Sequence, residues 1–401
     1  MRLKKIWIVA TLLTFLFSST KVLAADEMFL DNNAISNITE QSESIVISEV
    51  NTGKIISKKN DTKQLAVNNL PNYLAVYLLA NDIKNKKLTL DSTIPLVASD
   101  DTLNTNEIKD NISVKDAIFF LEQNSSSAVL DSVVKYYALT LESAKELLMN
   151  LSLSNTTLAD LKDSSSNLST SRDISYLTSL TLKTYPEITE ITKNPSYTLA
   201  NDKKVDNNIK FIESDKFRVT GLNFVQNNST TVAYSGNTKL TITILNQTSD
   251  KDSFFDNLQK TYSYLFDNYN YKLALKAGTY KINNENITLD NDIYDLFYTK
   301  HSIKDVTYLL MNNKILLFQK YETTSANEGT VFSEFKSESS KSSLAKIETK
   351  LLNDDNFASK DNLQKSTIVI ERGRLFIAFG LAVYSLIFIV IYVLKKLARK
   401  G

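Results

Sequence analysis

The sequence predicts an α+β protein in which strands open and close the main unit and helices fill the interval between them. Three observations carry this expectation. Ser44–Val50 and Lys54–Ser57 are short β-rich runs flanking Asn51-Thr52-Gly53, where Asn tolerates turn geometry and Gly supplies the positive φ of a bulged hairpin loop. A succession of helical patterns follows. Strands then return over 218–225, 230–235 and 239–245, where Leu240-Thr241-Ile242-Thr243-Ile244 alternates with period two.

Taken in order, the first helix is expected over 72–84, stopped by the polar run Lys84-Asn85-Lys86-Lys87 ahead of Leu88-Thr89-Leu90-Asp91. The second opens at Ser113, where Ser113-Val114-Lys115-Asp116 makes a capping box before the apolar run Ala117-Ile118-Phe119-Phe120-Leu121. Further helical pattern covers 128–138, 143–149 and 173–183. A helix over 253–269 carries Phe254, Leu258, Tyr262 and Leu265 on one face. From 271 to 320 short strands such as Lys314-Ile315-Leu316-Leu317-Phe318 predict a separate small β domain. Residues 323–366 are rich in Ser, Lys, Asn and Glu and predict a solvated stalk.

Composition narrows the function classes. The 401 residues allow two or three domains. A formal net charge of +1 gives no electrostatic case for nucleic-acid binding. The absence of cysteine excludes disulfides, thiol catalysis and zinc–cysteine sites, and the single histidine, His301, sits in a polar context that gives little support to Ser-His-Asp chemistry. The acidic groups Asp100-Asp101, Asp354-Asp355 and Asp290, Asp292, Asp295 show no ligand loop and are expected in solvated loops. No metal and no cofactor is expected.

The two ends predict export and anchoring. Arg2, Lys4 and Lys5 precede an apolar stretch from Ile6 to Phe17, and Val22-Leu23-Ala24 offers a signal-peptidase site, so the mature chain is expected to begin at Ala25. Leu375 to Leu394 is apolar on every face and long enough for a hydrocarbon core of roughly 30 Å. The basic tail after it, Lys395 to Lys400, is expected to stay cytoplasmic, leaving the bulk of the chain outside the cell. The expected organisation is a signal peptide (1–24), a main α+β domain (25–250), a linking helix with a small β domain (251–322), a polar stalk (323–374), a transmembrane helix (375–394) and a basic tail (395–401).

Several segments occur in a shared order: Glu49-Val50-Asn51-Thr52-Gly53-Lys54-Ile55-Ile56 with Lys59-Asn60 after it, Leu79-Ala80 through Lys87-Leu88-Thr89-Leu90-Asp91, and Leu168-Ser169-Thr170-Ser171-Arg172-Asp173-Ile174. Together they resemble the low-molecular-weight penicillin-binding proteins, the D-alanyl-D-alanine carboxypeptidases, over about residues 41 to 320. The resemblance implies a penicillin-binding-protein/β-lactamase-like domain, an antiparallel sheet flanked by helices, followed by a small β domain. It also implies three catalytic elements in one cleft. The Ser-x-x-Lys slots fall on Asn69 and Asn72, the Ser-x-Asn slots on Asn124 and Ser126, and the Lys-Thr-Gly slots on Val219, Thr220 and Gly221. An amide is neither nucleophile nor base near neutral pH, so Asn69 and Asn72 lack the required chemistry. Val219 lacks the charge that would meet a substrate carboxylate. Ser125, Ser126, Thr220 and Gly221 are left as groove-lining candidates.

Replacement pairs exist in Ser132-Val133-Val134-Lys135, Ser333-Glu334-Phe335-Lys336 and Ser343-Leu344-Ala345-Lys346, but two common residues at fixed spacing recur by chance in so Ser- and Lys-rich a chain. Two readings follow. In the first, the chain is a membrane-anchored pseudoenzyme that serves peptidoglycan metabolism as a scaffold or binding protein, with peptidoglycan or wall-synthesis membrane proteins as partners. In the alternative it is an active serine-type D-Ala-D-Ala carboxypeptidase that uses displaced residues.

Overall fold

The computed structural model describes residues 32–207 and 217–299, apart from 226, 283–284 and 290, together with strands at 303–311, 314–321, 329–336 and 345–349. The expected signal peptide, transmembrane helix and His301 lie outside the described residues. Among the described residues no helix is long and apolar enough to cross a membrane.

The chain enters through α1 (Asn32–Glu40) into a hairpin of β1 (Ser42–Glu49) and β2 (Ile55–Lys59). Gly53 takes φ 72°, the geometry the turn requires and a side chain would strain. The buried Glu49 carboxylate closes the same turn, accepting hydrogen bonds from the amides of Asn51 and Thr52 at 2.9 and 2.6 Å. Next comes α2 (Leu70–Lys84), which begins earlier than the apolar pattern suggested because Pro71 is pre-set for a first helical turn. Its residues are buried on nearly every side, which makes it the central helix rather than an amphipathic surface one.

Besides the short helices Asp101–Thr105 and Thr189–Thr192, longer ones follow: α3 (Val114–Gln123), α4 (Ser127–Tyr136), α5 (Leu141–Asn150) and α6 (Ser171–Thr184). Each starts at a hydroxyl cap, namely Ser113, Ser126, Thr140 and Thr170, whose oxygen accepts an otherwise orphan amide of the first turn. The strands β3 (Arg218–Val225), β4 (Asn228–Ser235) and β5 (Thr238–Gln247) then complete an antiparallel sheet of order β2-β1-β5-β4-β3. The first and last segments of the unit are thus neighbours, with Ile45 opposite Ile244 and Ile47 opposite Ile242.

The two faces of the sheet differ in chemistry. On one, Ile45, Ile47, Ile242 and Ile244 pack on Phe254, Leu258, Tyr262 and Leu265 of α7 (Lys251–Asn268). On the other, hydroxyls meet hydroxyls: Ser44 reaches Ser171 at 2.7 Å, and Ser48 reaches Ser175 and Thr241 at 2.9 and 2.8 Å. These small side chains seat α6 close against the sheet and give the hydroxyls of Ser44, Ser48 and Thr241 their partners.

Three expectations need correction. A boundary at residue 250 would assign α7 to the second unit, yet its apolar face seals the sheet of the first. After α7 come β6 (Tyr269–Leu275) and β7 (Ile293–Tyr298), which pair antiparallel. The strands then continue beyond the expected start of the stalk at 323. Gly329–Lys336 and Ala345–Thr349 join Ile303–Met311 and Lys314–Tyr321 in a four-stranded antiparallel sheet.

The third correction is Asp295, expected in a solvated loop. It is 0% exposed in β7, and its carboxylate accepts a 2.8 Å hydrogen bond from the Lys54 amine at the tip of the first hairpin. Period-two placement turned this one acid inward, and a buried cation was there to meet it.

Candidate functional site

The N-terminus of α2, the 100–102 turn, the α3–α4 junction and the 162–163 loop enclose a cleft of about 550 Å³. Asn69 is the N-cap of α2, and its carbonyl accepts from the Asn72 amide at 3.0 Å, so the two slots stand one helical turn apart. Both are buried, at 2% and 1% exposure, and only Asn72 lines the cleft. Its Nδ2 donates to the Leu121 carbonyl at 3.0 Å and to Asn124 Oδ1 at 2.8 Å. The Asn72 Oδ1 accepts no hydrogen bond.

Asn124 ends α3 in the left-handed region, at φ 47°. Among residues with a side chain, Asn adopts this conformation readily, so the backbone gives its own reason for Asn where the resemblance called for Ser. Its Nδ2 donates to Asp163 at 3.1 Å. Ser125 and Ser126 both line the cleft. Ser126 is the cap of α4, with its hydroxyl donating to Asp100 at 2.6 Å while accepting from the Val129 amide at 3.2 Å.

The sequence reading treated Asp100 as a solvated loop acid. It instead joins two helix starts, accepting also from the amides of Leu103 at 3.0 Å and Ala128 at 3.1 Å. Burial pushes this carboxyl up, but hydrogen bonds from Ser126 and the backbone amides outweigh it and hold it below the usual carboxylate value.

Val219 does not reach the cleft. It is 2% exposed on β3, opposite Ala233, within the apolar cluster on the α7 side of the sheet. A lysine there would put an amine into that core, so position 219 is a packing position in this fold. Thr220 and Gly221 pair with Val232 and Thr231, and they are described at the level of strand pairing alone. Of the replacement pairs, Ser132 is 1% exposed with its hydroxyl bonded to the Ala128 carbonyl and the Val97 amide, and Lys135 is exposed. That serine is structural.

Ser127, adjacent to the two predicted groove serines, lines the cleft as well, as does Asp101, expected in a solvated loop; Thr102, Leu130, Asp131, Lys162 and Asp163 are lining residues the sequence reading left unassigned. They come from the short Asp101–Thr105 helix, from α4 and from the 162–163 loop, so no spacing motif could have grouped them. Among the described residues, no group of three acidic or histidine side chains could hold a metal ion.

By sequence, no protein-family model and no curated protein matches the chain. Solved structures do match. Penicillin-binding protein 6B from Escherichia coli aligns over 70% of this chain and 93% of its own, at 17% identity and a TM-score of 0.56. Penicillin-binding protein 5 from Haemophilus influenzae covers 74% and 97%, at 12% identity and TM-score 0.54. The D-alanyl-D-alanine carboxypeptidase DacD from Francisella tularensis covers 74% and 93%, at 14% identity and TM-score 0.52. The fold is that of the penicillin-binding proteins.

On this fold, restoring the first motif alone is expected to fail. In Asn69→Ser with Asn72→Lys, the new amine would lie at the buried position that faces the Leu121 carbonyl and Asn124 Oδ1, two acceptors that favour its charged, non-basic form. The double variant is expected to show no turnover of a D-Ala-D-Ala peptide; release of D-alanine above background would show that the rest of the cleft is competent.

Proposed function

We propose that the chain is a non-catalytic, membrane-anchored protein of penicillin-binding-protein fold that binds or scaffolds in peptidoglycan metabolism outside the cell. One observation carries the reading: the slot of the general base holds an amide, Asn72, buried and fixed through Nδ2 to Leu121 and Asn124. An amide cannot take a proton from a nucleophile, and the preceding slot, Asn69, offers no nucleophile. The apolar stretches at 6–17 and 375–394 support export and a single span, with peptidoglycan or wall-synthesis membrane proteins as partners.

The competing reading is a working carboxypeptidase with displaced residues, and its best pair is Ser126 with Asp100. Both are already committed as helix caps, and a carboxylate held below its usual value is a weak base. Incubation of the detergent-solubilised full chain with fluorescent penicillin, followed by a denaturing gel and intact mass, separates the two. The expected result is a folded protein with no covalent adduct. A stoichiometric adduct overturns the reading.

A further inference from the structure

Away from the cleft, one buried cluster of ionisable groups has no part in the proposed function. It joins Lys54 at the tip of the β1–β2 hairpin, Glu49 at the end of β1 and Asp295 on β7. The Lys54 amine donates to Asp295 Oδ2 at 2.8 Å, with the Asp295 carboxyl carbon one bond beyond that oxygen. On the other side of the same carboxyl, Oδ1 accepts from the Leu296 amide at 2.8 Å. A nitrogen nucleophile thus stands against one oxygen while a fixed N–H donor holds the other. Acyl transfer needs this arrangement, with the donor placed where negative charge develops.

In water such a pair is inert, because an ammonium has no lone pair to offer and a carboxylate resists attack. Burial changes the balance, since it disfavours both charges. Desolvation pulls the Lys54 amine down, against the opposing pull of the Asp295 carboxylate. Glu49 is pushed up, first by burial and further by the Asp295 charge, although Asn51 and Thr52 donate to its carboxylate. Two acids and one amine therefore share an enclosure that favours fewer charges, and a neutral amine beside a protonated acid is the reactive pair.

We propose that Lys54 and Asp295 condense to an intramolecular amide, a covalent tie between the first hairpin and β7. Proton transfer along the hydrogen bond frees the lone pair, and rotation about the last bonds of the flexible lysine stem carries Nζ from Oδ2 onto the carboxyl carbon. The Nζ–Cγ bond forms, the Leu296 amide steadies the oxyanion on Oδ1, and the Cγ–Oδ2 bond then breaks. Nζ gives up two of its three ammonium protons, and both leave with Oδ2 as water. No co-reactant is consumed. The ion pair is the state of a freshly folded chain, before condensation. This is one self-modification and not turnover, so it stands independently of the non-catalytic reading.

Intact mass and peptide mapping test the proposal on the detergent-solubilised full chain, incubated folded for several days. The expected result is the loss of one water. Trypsin should then leave the bond after Lys54 uncut and yield a branched peptide joining that segment to the one containing Asp295. The same chain held unfolded in urea is expected to keep its full mass, because only the fold brings the two groups together. Lys54→Arg retains a cation opposite Asp295 but offers a guanidinium that stays protonated, so this variant is also expected to keep its full mass. A folded parent chain that keeps its full mass overturns the proposal, whether or not the variant folds. Equal loss in Lys54→Arg overturns it as well. So does a water lost within the Asp295-Leu296 segment alone with Lys54 still cleaved, which marks cyclisation onto the backbone amide.

Discussion

Asp295→Ala is expected to destabilise the protein by about 3–5 kcal/mol, the usual cost of removing one partner from a buried ion pair. The pair joins Lys54, at the tip of the β1–β2 hairpin, to β7, with side chains 3% and 0% exposed and 2.8 Å between the charged atoms. Burial alone pulls the Lys54 amine down, and the Asp295 carboxylate opposes that pull. Without Asp295 the amine would keep only a long contact with the Leu296 carbonyl, at 3.4 Å, and the pull of Glu49. Urea unfolding of the variant would show the loss as a lowered midpoint. Replacing both partners with apolar residues, Lys54→Met with Asp295→Leu, is expected to recover most of it, because the larger part of the cost is the stranded charge. A single Asp295→Ala variant as stable as the parent would mean that the hairpin and β7 do not depend on this pair.

The second large effect concerns Glu122, on α3 beside the cleft. The residue is 1% exposed and neither carboxylate oxygen has a hydrogen-bond partner. Burial pushes its carboxyl well above the ordinary value of 4.5, and the Thr192 hydroxyl, which pulls the other way, makes no hydrogen bond to it. The folded state therefore holds the proton more tightly than the unfolded chain does. Stability from this group is fully present below the ordinary value and is lost as pH rises through the folded one. Each pH unit inside that window is expected to cost up to about 1.4 kcal/mol. Glu122→Gln removes the charge at nearly constant volume, so the variant should unfold with a shallower pH dependence above pH 4.5 than the parent. Thermal melts of both proteins across mildly acidic to mildly alkaline pH check this. Parallel curves would mean that Glu122 stays solvated enough to ionise freely.

These two acids show where sequence reading runs short. Asp295 sits near Asp290 and Asp292 in the sequence and shares their composition, so by pattern it belongs with loop acids. Its burial depends on Lys54, which is 241 residues away. Glu122 follows the apolar run 117–121 and reads as the polar end of a helix. It is dry because β3 and the Thr189–Thr192 helix pack over α3. Neither partner is encoded near the residue it buries.

The local signals were reliable where the chain satisfies its own backbone. The Asn51-Thr52-Gly53 turn, the Ser113 cap and the alternation in 240–244 each follow from rules acting over a few residues, and each stands in the structure. The separation of Asn69 and Asn72 by one helical turn likewise follows from spacing alone. The sequence by itself therefore determined the hairpin, the helices, the closing strands and the amide side chains at positions 69 and 72. Only the tertiary structure decided which face each residue serves. It turned Val219 away from the cleft into the α7 core, tied Asn72 to Asn124, and brought Asp100, Asp131 and Asp163 from a helix cap, α4 and a loop into one cleft. Spacing along a chain fixes what a residue can do for its neighbours in sequence, while burial and charge depend on neighbours in space.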